Sequence, residues 1–104
     1  MPEREFSGRW FITAASVEDY MQICGEDIDD AAAFDRAAGR LKALCREARF
    51  VREYAGGRFE SWRVRAVCAG KSRRLDLSVS TDQRGEGYSD QLVAVKDNDN
   101  RSNR

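Results

Sequence analysis

The sequence predicts an α+β fold of two layers, with an antiparallel sheet of four to five strands packed against one short and one long helix. Two observations carry this reading. Apolar residues recur at three- and four-residue spacing up to about residue 48 and at every second residue beyond it. The alternating segments are joined by short glycine-bearing connections, which favour a meander of sequential antiparallel strands. With 104 residues, 41% hydrophobic and 35% charged, the chain suits one globular domain with a highly charged surface. The expected division is a flexible N-terminus at 1–8, one domain at 9–96 and a disordered tail at 97–104, where only polar and charged residues follow Lys96.

Trp10 to Thr13 is aromatic and β-branched and reads as a first strand. Ser16 is placed to cap a short helix, with Asp19 at the third helical position, and Val17, Tyr20, Met21 and Cys24 recur at helical spacing until Gly25 ends it. The long helix is expected from Asp29 or Asp30 to about Ala48. Phe34, Ala37, Ala38, Leu41, Cys45 and Ala48 form its apolar stripe, aspartates lie at its start and Arg40, Lys42 and Arg46 toward its end, in the order the helix dipole favours.

From residue 50 the period is two. Phe50 to Tyr54 reads as a strand, Ala55-Gly56-Gly57 as a turn, and Phe59 to Cys68 as a strand with Trp62, Val64, Ala66 and Cys68 on one side and Ser61, Arg63 and Arg65 on the other. Ala69 to Ser72 is the next turn. Arg74 to Ser80 then places Leu75, Leu77 and Val79 inward and Arg74, Asp76 and Ser78 outward. The polar stretch Thr81 to Ser89 is expected to be a flexible loop leading to a last strand from Gln91 to Lys96, which can pair with the first strand or with the meander.

Composition removes several function classes. Histidine is absent, so imidazole-based catalysis and imidazole metal ligation are excluded, and no motif names a reaction or a cofactor. The carboxylates around residue 26 lack the glycine and spacing of a calcium-binding loop, so no metal site is expected. Gly70-Lys71-Ser72 echoes the end of a phosphate loop, but Arg65 stands where that motif needs glycine and the segment joins two strands. Cys24, Cys45 and Cys68 are odd in number and widely spaced, and they read as buried thiols in a reducing compartment, hence a cytoplasmic protein. No stretch is apolar enough for a membrane span.

Lysine plus arginine and aspartate plus glutamate are balanced at 18 each. The balance conceals a segregation: Val17 to Asp35 holds seven acids and no base, a net −7, whereas Arg36 to Arg74 holds twelve bases against three acids, a net +9. Arg63, Arg65, Lys71, Arg73 and Arg74 are the candidate basic surface, with Tyr54, Phe59 and Trp62 nearby, although alternation places Trp62 on the core side. Guanidinium forks beside aromatic rings suit phosphate or carboxylate recognition. The alternative is a solvated face neutralised by partners such as Glu60 and Asp76. Glu26, Asp27, Asp29 and Asp30 are the candidate acidic surface, with helix capping as the competing explanation. Opposed patches lead to the expectation of a non-catalytic protein that binds a macromolecular partner through charge. That partner is a protein or ribonucleoprotein complex, with nucleic acid or a second copy of the chain as alternatives.

The order of strand, two helices and antiparallel meander over residues 9 to 96 resembles the RelE/ParE toxin scaffold. That likeness implies a ribosome-dependent endoribonuclease using arginine, lysine and tyrosine on the sheet, and the residues of suitable chemistry are Tyr54, Arg63, Arg65, Lys71 and Arg74. The strands Trp62 to Arg65 and Arg74 to Ser80 also resemble those of small phage and prophage proteins. This second likeness implies an inhibitor that occludes a larger host complex, as anti-CRISPR proteins do.

Overall fold

The computed structural model describes residues 4–6, 9–82 and 90–98, so most of the expected loop, at 83–89, and of the expected tail, at 99–104, lies outside the described residues. The elements are β1 (Arg4–Phe6), β2 (Phe11–Thr13), α1 (Ala14–Ile23), α2 (Ala31–Glu47), β3 (Arg49–Tyr54), β4 (Phe59–Cys68), β5 (Lys71–Ser80) and β6 (Gln91–Asp97). They form an α+β fold with one sheet of order β1-β2-β6-β5-β4-β3. The first strand thus lies ahead of residue 9, within the segment expected to be flexible.

The sheet is mixed where full antiparallel pairing was expected. β6 pairs antiparallel with β5 and parallel with β2. Strand parity explains the difference. Three antiparallel steps separate β3 from β6, and the intervening helices return the chain so that β3 runs opposite to β2, which leaves β6 codirectional with β2. The last strand therefore joins both of its expected neighbours.

α1 begins directly from β2, and its cap is Thr13 instead of Ser16. The Thr13 hydroxyl accepts from the Ser16 N–H at 3.2 Å and donates to the Leu92 carbonyl at 3.0 Å, so one side chain caps α1 and ties it to β6. Ser16 is fully buried and donates back to the Thr13 carbonyl at 2.6 Å. Asp19 does no capping; its carboxylate accepts the Val95 N–H at 3.1 Å, a second pin between α1 and β6. At the other end Gly25 has φ +74°, and the N–H groups of Glu26 and Gly25 reach back to the Met21 and Gln22 carbonyls, the paired bonds of a Schellman ending.

α2 follows expectation. The Asp30 carboxylate accepts from the N–H groups of Ala32 and Ala33, and Ala33, Ala37, Ala38, Leu41 and Cys45 are buried along one stripe. That stripe and the buried residues of α1 share one core with Val64, Ala66, Leu75, Leu77, Val79, Leu92 and Val95, which lie on one face of the sheet and are all buried. Arg40 stitches the helices together. Its Nε donates to the Tyr20 hydroxyl at 3.3 Å and its Nη2 to Glu26 at 2.8 Å, and the Tyr20 hydrogen bond is the largest cause of the rise in its pKa above the ordinary guanidinium value.

Two of the three cysteines are not the buried thiols expected. Cys24 and Cys68 form a disulfide with their Cα atoms 4.9 Å apart, and Cys45 is buried and takes no part in it. A separation of 44 residues concealed the pairing: α1 ends at Cys24 just where the last inward position of β4 brings Cys68 over the helix layer. The expectation of a reducing compartment loses the support it drew from three thiols. Among the described residues no helix is long and apolar enough to cross a membrane.

Candidate functional site

The sheet face turned away from the helices is built by register. Residues directly opposed on paired strands share a face, so one row across three strand junctions is Arg49, Arg63, Asp76 and Lys96. The next row opposes Arg65 to Arg74, and a third opposes Arg52, Ser61, Ser78 and Ala94. The face therefore carries six bases, Arg49, Arg52, Arg63, Arg65, Arg74 and Lys96, against one acid, Asp76, on strands β3 to β6. Asp76 is already engaged at both oxygens: Arg63 donates to one at 2.9 Å and Asn98 to the other at 2.8 Å.

Arg49 opposite Arg63 and Arg65 opposite Arg74 are like charges facing each other across strands, each unfavourable by roughly 0.2–1 kcal/mol. The four arginines surround a groove of about 430 Å³, together with Glu47, Val51 and Val64. It lies where β3 begins, beside the part of β4 that runs on past it.

At the other end of the face Tyr54 donates to the Ser78 hydroxyl at 3.2 Å, its ring stacks on Phe59 with centroids 5.5 Å apart, and Arg52 lies 5.2 Å over it. Tyr54 is thus committed to the serine row, away from Arg63. Trp62 sits on the helix side, edge-on to Trp10 at 5.1 Å and to Phe50 at 5.5 Å.

Arg63, Arg65 and Arg74 come together as the sequence predicted, and Lys71 and Arg73 do not join them. Both of the latter are register partners of buried residues, Cys68 and Ala66, which puts them on the opposite face. Arg73 there donates to Asp97 at 2.6 Å. Sequence reasoning missed Arg49, Arg52 and Lys96. A register irregularity between Phe50 and Arg52 places Phe50 and Arg52 on opposite faces with Val51 between them, which simple alternation along β3 would not foresee.

The acidic candidates lie in the connection between α1 and α2, in the layer on the far side of the sheet. Three of them have local tasks. Glu26 pairs with Arg40, the Asp27 carboxylate accepts the Asp29 N–H at 2.9 Å, and Asp30 caps α2. Capping and turn chemistry thus explain most of this cluster, whereas they explain nothing of the basic face. Comparison of the chain with known protein families, with curated proteins and with solved structures finds no match.

Proposed function

We propose that this protein is a non-catalytic binding module whose outer sheet face docks on an anionic surface of a macromolecular partner. One observation carries the reading: six bases to one acid on a single sheet face, with two arginine pairs directly opposed in register. A partner offering carboxylates or phosphates converts that repulsion into charge-assisted hydrogen bonds, and the segregated charge steers the encounter. The mode of action that suits a small chain with one such face is occlusion, in which an acidic or phosphate-bearing surface of a larger assembly is covered, as the resemblance to phage-type inhibitors implies.

Affinity capture from a host lysate tests the reading with three folded proteins. These are the wild type, Arg49→Glu with Arg65→Glu, and Asp27→Lys with Asp29→Lys. The expected result is that only the basic-face variant loses the captured partner; equal capture by all three overturns the proposal. Growth arrest on expression, relieved by Tyr54→Phe, would favour instead the RNA-cleaving toxin that the RelE/ParE resemblance implies.

A further inference from the structure

We infer that the open edge of β4 takes up an extended segment of a partner protein as an added strand, with carboxylates on the segment's outward side. The inference rests on the basic-face reading and names the partner chemistry for it. Pairing between β3 and β4 ends at Arg49 with Arg63, while β4 continues to Cys68, so among the described residues the last five of β4 have no strand neighbour on that side. The β4–β5 hairpin closes through Ala69 and Gly70, both at positive φ, with Cys68 opposite Lys71. In a two-residue hairpin the closing pair exchanges both backbone bonds, and bonded pairs then alternate. The N–H and C=O groups of Arg65 and Val67 therefore point to the open edge.

Side chains beside that edge alternate in the same sense. Val64 floors the groove toward the core, while Arg65 and Val67, which is 69% exposed, stand on the outer face with Arg63 and Arg74 next to Arg65. An incoming strand with an acidic residue outward beside Arg65 and small apolar residues inward beside Val64 and Ala66 matches the side chains, and its backbone matches the edge. Two other occupants fit less well. A second copy pairing edge to edge would bring arginine rows together, the like-charge protection that strand edges use against self-association. A nucleic acid could meet the guanidinium groups but offers no row of peptide donors and acceptors.

The test uses the full chain, with fluorescence anisotropy and amide hydrogen exchange. The probes are a capped peptide of alternating glutamate and valine, the same peptide N-methylated on the edge that would face β4, an alternating lysine and valine peptide, and poly-uridine. The expected result is binding of the glutamate peptide with slowed exchange at Arg65 and Val67. N-methylation, which removes backbone bonds and leaves charge intact, weakens it roughly tenfold. The lysine peptide does not bind, and Arg65→Glu abolishes capture of the glutamate peptide. Equal affinity of the N-methylated peptide, or unchanged exchange at Arg65 and Val67, overturns strand addition. Binding of poly-uridine without the glutamate peptide overturns it too, while leaving the basic-face reading in place; failure of both probes removes both.

Discussion

Replacing Arg65 by glutamate makes the protein more stable and less able to bind. Arg65 opposes Arg74 directly, and Arg63 is two residues away on the same face. The substitution removes one like-charge pair and creates an opposite-charge pair, each change being worth roughly 0.2–1 kcal/mol. Both groups are near the surface, where screening discounts such terms, and the exposed hydrogen bond from Arg65 to Ser72 is lost, so the net gain is about 0.5–1 kcal/mol. For a chain of 104 residues this is a rise in melting temperature of about 2–5 °C. Thermal unfolding at low salt reads it directly, and the gain shrinks as salt screens the pair. A destabilised variant, or a gain indifferent to salt, would refute the view that this face holds unfavourable charge for a partner's sake.

The other predictions concern the scaffold. Leu77→Ala at a site with no solvent exposure should cost about 3–5 kcal/mol in chemical denaturation, without moving the position of the basic residues. Replacing Cys24 and Cys68 together by alanine opens a 44-residue separation and should cost about 2–4 kcal/mol, with dithiothreitol destabilising the wild type but not the variant. Asp30→Ala removes the cap of α2 and should cost about 1 kcal/mol by the same assay. Ala69 has φ +51° in the β4–β5 turn, so Ala69→Asn should add roughly 0.5–1 kcal/mol, because asparagine tolerates that region better than alanine.

Periodicity made most of the scaffold legible. The α2 stripe, the β4 and β5 alternation and the left-handed ending at Gly25 follow from local rules, and all appear in the structure. What was not legible depends on distance along the chain. Thr13 outcompetes Ser16 as a cap because β2 runs straight into α1 and holds the Thr13 hydroxyl between helix and β6. The disulfide joins residues that only tertiary folding brings near, and the parallel β2–β6 pair depends on the parity of the whole path.

The candidate surface divides in the same way. Arg63, Arg65 and Arg74 were legible because β4 and β5 alternate without interruption. Lys71 and Arg73 share the charge of that face but not its parity: both alternate with the inward Leu75, which places them on the helix side of the sheet. Arg49 and Arg52 needed the irregularity in β3, and Lys96 needed the β5–β6 register, neither of which the sequence displays locally.

The anionic-partner reading is tested most directly by the affinity of wild-type protein and of Arg49→Glu with Arg65→Glu for poly-glutamate and poly-uridine as salt is raised. Wild-type affinity for at least one of the two should fall steeply and linearly with the logarithm of salt, and the variant should bind more weakly with a shallower slope. A flat wild-type slope, or identical curves for the two proteins, would contradict it.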